Sequence, residues 1–113
     1  MPVYGVHISG VKDSAALEGE KIDAQKFHKD LASMKKADGS PLILSIRGGR
    51  IRKTVGLSEN LQYCAIYECA NEADQKEADA RIQKEASSGK WGPQEKYKAA
   101  FEEANVMFED GDW

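Results

Sequence analysis

The chain predicts an α+β fold: one antiparallel sheet with helices packed on a single face. Three observations point there. Short segments with period-two or aromatic and β-branched character occur at both ends and in the middle of the chain. Two longer segments with helical spacing separate them. Collapsing one glycine-interrupted stretch gives the order β-α-β-β-α-β, the ferredoxin-like pattern.

Each element can be argued in turn. "VYGVHISG" is a strand over Val3–Ser9. In "KIDAQKFHKDLASMKKADG", Phe27, Leu31 and Met34 recur at helical spacing. Asp23 is placed to cap that helix, Ile22 to staple onto Phe27, and Gly39 to close it. "PLILSIRGGRIRKTVGL" has two readings: a hairpin turning at Gly48-Gly49, which is preferred, or one strand with a glycine bulge. "LQYCAIYEC" is a strand. "NEADQKEADARIQKEAS" is a helix capped by Asn71, with a thin apolar face of Ala73, Ala78 and Ile82. Pro93 suits the first turn of a further helix on which Tyr97, Phe101 and Ala104 share a face, and "NVMFED" is a last short strand.

Length and charge bound the function. With 113 residues, a single domain over residues 1–113 is expected. A net charge of -3 gives no general attraction for nucleic acid or for an anionic membrane. No apolar run approaches the ~20 residues of a membrane helix, and the N-terminus does not read as a signal peptide. Cys64 and Cys69, on one strand, face opposite sides, roughly 16 Å apart along the chain. That separation excludes a bridge, and free thiols fit a cytoplasmic protein. No zinc spacing, calcium loop, dinucleotide fingerprint or nucleophile elbow is present, so neither a metal nor a cofactor is expected.

Strand alternation divides the first strand into two sides. Tyr4, Val6 and Ile8 are bulky and suit packing against helices. Val3, Gly5, His7 and Ser9 are small apart from one imidazole, and are expected on the bare face of the sheet, beside a cavity. On the middle strand Tyr63, Ala65 and Tyr67 share a face, and the first and third strands of this topology are neighbours, so His7 meets Tyr63 or Tyr67.

"YCAIYECANEADQKEADARI" resembles the third strand and following helix of small dimeric α+β barrel proteins, the EthD-like and stress-responsive A/B barrel groups, and the likeness of element order covers most of the chain. The resemblance implies a homodimer of two sheets face to face, each subunit holding a pocket. It also implies, for some members, cofactor-free lyase chemistry of cyclase or decarboxylase type on hydrophobic aromatic or polyketide-like substrates. Several catalytic members carry a histidine on the first strand, which His7 matches. They also carry one after the second helix, where this chain has Trp91 and Pro93 instead. In the first helix region an aromatic residue often stands four positions before a histidine; here Leu31 follows Phe27 at that spacing and His28 is out of register.

The candidate site is therefore His7 as proton-transfer residue, since imidazoles titrate near neutrality. Tyr63 and Tyr67 are candidates to orient a substrate, and Gly5, Ser9, Ala65 and Trp91 to line its pocket. Each also has a plain structural reading: a hydrogen-bonded histidine in a dimer core, tyrosines as core aromatics, a tryptophan packed on the domain edge. His28 reads as a boundary residue of its helix. Arg47, Arg50, Arg52 and Lys53 form one basic cluster, either an anion site or a charged edge strand. The alternative to an enzyme is a non-catalytic dimeric stress-response barrel, or one that only holds a hydrophobic molecule.

Overall fold

Among the described residues, four strands in the order β2-β3-β1-β4 form one antiparallel sheet, and three α-helices accompany it. The computed structural model describes residues 1–17 and 24–113. The elements are β1 (Val3–Val11), a single 3-10 turn (Ser14–Leu17), α1 (Ala24–Ala32), β2 (Ser45–Arg50), β3 (Tyr63–Cys69), α2 (Glu72–Ser87), α3 (Gln94–Ala100) and β4 (Phe101–Glu109). This is the ferredoxin-like α+β arrangement. The expected cap at Asp23 and staple at Ile22 lie outside the described residues.

Local chemistry explains most element boundaries. Asn71 caps α2, its Oδ1 accepting from the Asp74 N–H at 2.8 Å. Helix α1 stops earlier than its lysine-rich continuation suggests. Past it, the Leu42 N–H donates to the Met34 carbonyl at 3.0 Å, and Lys36 N–H to the Ser40 carbonyl at 2.8 Å. Asp38 accepts from the Ser40 N–H, and Gly39 takes φ 87°. This local turn competes successfully with another helical turn.

Two expectations are corrected. Gly48 and Gly49 are not a hairpin turn: both lie inside β2, opposite Ala65 and Cys64, and neither has positive φ. The reversal comes later, in a loop over 51–62 closed at its base by Ile51 N–H to the Gln62 carbonyl at 2.7 Å. Nor do Tyr97, Phe101 and Ala104 share a helix. The Ala100 carbonyl accepts from the backbone N–H of Lys12 and of Asp13, which turns the chain onto the β1 ladder, so Phe101 and Ala104 pair with Val11 and Ile8.

The core sits between the sheet and α1 and α2. Leu31, Met34, Leu42, Ile43, Cys69 and Ala78 are its buried members, with Phe27, Ile46, Tyr67, Ile82 and Trp91 packed around them. Ala78, on the thin apolar stripe of α2, is fully buried. Lys36 reaches Asp74 at 2.9 Å and satisfies a carboxylate that is otherwise largely enclosed. Leu42 is fully buried, which is worth about 1.5–3 kcal/mol in transfer alone.

Leu42→Ala is expected to destabilise the fold by about 2–5 kcal/mol, the transfer loss plus a cavity. Leu57→Ala, at an exposed site, is expected to stay within about 0.5 kcal/mol of the parent. Urea denaturation of both checks this; equal midpoints for the two would contradict the core assignment.

Candidate functional site

The strand registers arrange the sheet into rows that cross it at right angles to the strands. One face carries Ile46–Tyr67–Gly5–Met107, then Gly48–Ala65–His7–Asn105, then Arg50–Tyr63–Ser9–Glu103. The opposite face carries Ser45–Glu68–Tyr4–Phe108, then Arg47–Ile66–Val6–Val106, then Gly49–Cys64–Ile8–Ala104. Ile46 and Tyr67 pack into the core cluster, so the first face is the one the helices cover.

This reverses the expected sidedness of β1. Gly5, His7 and Ser9 face the helix layer, and Tyr4, Val6 and Ile8 face away from it. The physical reason lies at Gly5. The Tyr67 ring rests directly on Gly5, in space that a β-carbon there would occupy. The bulk on the helix side is supplied by β3, α1 and the 42–43 segment, so β1 contributes small residues under them. Gly5 is thereby buried beneath Tyr67 rather than open to a ligand.

His7 stands in the row with the least competing bulk, flanked by Ala65 and then Gly48 on one side and by Asn105 on the other. Its Nδ1 lies 2.6 Å from Asn105 Oδ1, and its Nε2 lies 4.0 Å from Glu103 Oε1. Its side chain is 31% exposed. With the amide oxygen toward the ring, Nδ1 carries the proton and Nε2 is the free basic nitrogen, on the side of Glu103. Asparagine fixes the tautomer and ring plane without adding charge.

A second imidazole belongs to this region. His28 of α1 is half-buried, and burial first, then the nearby His7, holds its pKa below the ordinary value. On sequence alone it reads as a boundary residue of its helix; in the structure its ring centroid lies 5.9 Å from that of Phe27. Asn105 and Glu103 are not sequence candidates: Asn105 opens the expected strand "NVMFED" and Glu103 falls in the stretch expected to be helical, whereas both belong to β4 beside β1.

The remaining candidates divide. Tyr63 and Tyr67 share the face of His7 and flank its partner Ala65 on β3. Tyr67 is committed to the interior: its ring packs on the core cluster and over Gly5, with the Asp79 carboxylate of α2 nearby. Burial, then the Asp79 carboxylate, push its phenol above the usual range. Tyr63 remains 44% exposed, with its ring available. Ser9 shares the His7 face and is half-buried. Trp91 packs on α1, edge-on to Phe27 at 4.7 Å, with Nε1–H donating to Asp30 at 2.8 Å. It ties the α2–α3 connection down. Cys69 is buried, and its thiol is pushed up to about 11, chiefly by burial. Among the described residues no three or more His, Cys, Asp or Glu side chains are grouped to hold a metal ion, and no helix is long and apolar enough to cross a membrane.

No protein-family model and no curated protein matches the chain. Among solved structures it is similar to SnoaB, a cofactor-independent oxygenase from Streptomyces nogalater, with a TM-score of 0.57 at 12% identity over 99% of this chain and 95% of that one. At that identity the likeness shows a shared fold, and it agrees with the ferredoxin-like α+β arrangement expected from the sequence.

The His7–His28 proximity has a direct readout. In NMR titrations His28 is expected to titrate below 6.5, its ordinary value, and to move upward in His7→Gln, which removes the second imidazole. Because the folded value is the lower one, the unfolded chain takes the proton more readily. The contribution to stability is present above the unfolded value and is lost as pH falls through it toward the folded one. His28→Gln is expected to flatten that part of the stability profile.

Proposed function

We propose that the protein is a small enzyme without cofactor that transfers a proton at His7 on a hydrophobic aromatic or polyketide-like substrate. The observation that carries this reading is the His7–Asn105 contact at 2.6 Å above a floor of alanine and glycine. It holds an imidazole in one tautomer on a partly exposed surface, with a basic nitrogen left free. Removing a proton from an acidic carbon of the substrate leaves a carbanion or enolate. That species can close a ring or react with dioxygen; decarboxylation instead forms it by loss of carbon dioxide, and the imidazolium then returns a proton to the carbon. The lyase or cyclase outcome is the one the sequence resemblance supports; the oxygenase named for the similar fold supports the third. Tyr63 is the tyrosine best placed to orient the substrate, since it is exposed whereas Tyr67 is packed on the core. Free thiols support a cytoplasmic location.

The same reading includes a homodimer. Tyr4, Val6, Ile8, Ile66, Val106 and Phe108 make a contiguous apolar patch on the face that the helices leave bare. Val106 is 57% exposed and Phe108 47%, and Tyr4 stacks on Phe108 at 5.3 Å. An uncovered apolar sheet face of this kind is stabilised by a second copy of itself.

His7→Gln is expected to lower kcat/KM for a phenolic or enolisable polycyclic substrate by at least about 100-fold, with unchanged melting and oligomeric state. Asn105→Leu, which removes the acceptor that fixes the ring, is expected to lower kcat/KM as well, with the fold intact. Full activity in His7→Gln, or binding without turnover, would return the chain to the passive ligand-holding reading. Sedimentation is expected to show a dimer, and Val106→Lys to convert it to a monomer; a monomeric parent chain would remove the dimer from this proposal.

A further inference from the structure

We infer that the groove between the two limbs of the 51–62 loop binds the carboxylate of a flat aromatic acid whose ring system lies on Tyr63. The loop is held open by its own anchors. Ile51 N–H donates to the Gln62 carbonyl at 2.7 Å and Gln62 N–H to the Ser9 carbonyl at 2.9 Å, while Leu61 is buried. Between the limbs lies a groove of about 420 Å³, whose lining includes Arg50, Arg52, Lys53, Glu59, Leu61 and Tyr63. Three cations thus face one carboxylate.

Like Lys12, Arg47, Lys84 and Lys98, those cations have no ion pair among the described residues; they differ from these four in standing together at one groove. Lys26, Lys36, Lys76, Arg81 and Lys90 each pair with a carboxylate. Arg50, Arg52 and Lys53 pair with none of the described residues, although they crowd within four consecutive positions. An anion between them offsets that repulsion, and a guanidinium presents a planar fork that matches a carboxylate. Tyr63 supplies the neighbouring apolar wall: it lines the groove and stands opposite Arg50 on the face of His7.

Position then sets the size of the ligand. The Arg50–Tyr63–Ser9 row lies two residues along the strands from the Gly48–Ala65–His7 row. With strands ~4.8 Å apart and ~3.4 Å per residue, Arg50 and His7 are about 12 Å apart across the sheet, roughly the span of three fused rings with an acid group. This deepens the proposed function and rests on it for the identity of the reacting end, at His7. The anion groove itself does not depend on it.

The test uses anthracene-2-carboxylate, its methyl ester, inorganic phosphate and a single-stranded oligonucleotide as probes, with amide chemical shifts as readout. The carboxylate is expected to shift residues 50–54 and 61–63. Its binding is expected to weaken at least tenfold in the ester and in Arg50→Gln/Arg52→Gln, to weaken as salt is raised, and to stay within twofold in Lys84→Gln. Retained binding in His7→Gln is the expected result, and it separates this site from the catalytic reading: loss of turnover there leaves the groove assignment standing. Equal binding of acid and ester, shifts confined to other surfaces, displacement of the acid by equimolar phosphate, or tighter binding of the oligonucleotide would each overturn the inference.

Discussion

The contact between the Tyr67 ring and Gly5 is the constraint on which the rest of the molecule turns. A tyrosine on β3 can cross its neighbour β1 only where that strand has no side chain. Once it does, its ring packs on the buried cluster to which α1 contributes Leu31 and α2 contributes Ala78. The same contact decides which side of β1 is inside. Any side chain at position 5 would have to displace an aromatic ring wedged against the core, so the cost would fall on the sheet–helix packing as a whole.

From this follows a molecule with two sheet faces of different character. The face under the helices carries imidazole, amide, carboxylate and phenol groups in adjacent rows, with alanine and glycine between them. The bare face carries a block of aliphatic and aromatic side chains. Polar groups and the apolar block are thereby kept on opposite sides of the same strands, and neither constrains the residue types available to the other.

The topology was legible in the sequence because strand and helix periodicities, the Asn71 cap and the aromatic β3 segment all agree with it. The pairing of His7 with the Tyr63–Tyr67 strand was legible for the same reason. Sidedness was not. Bulky residues on β1 were assigned to the helix side by a rule that treats each strand alone, whereas the bulk under the helices comes from Tyr67, Leu31 and Leu42. The Gly48-Gly49 pair misled in a related way: two glycines permit a turn, but here they sit flat beside Ala65 and Cys64 in an edge strand. Asn105, Glu103 and His28 are brought near His7 by a strand partner and a helix far away in the chain, and no spacing in the sequence encodes such proximity.

The two thiols of β3 sit on opposite faces and report on different things. Cys69, enclosed and held as the protonated form, offers oxidants and alkylating reagents no thiolate to attack. Cys64 is half-exposed on the apolar side, in the row of Ile8 and Ala104. A maleimide added to the native chain therefore has one address, and the speed with which it reacts measures how tightly that side of the sheet is covered.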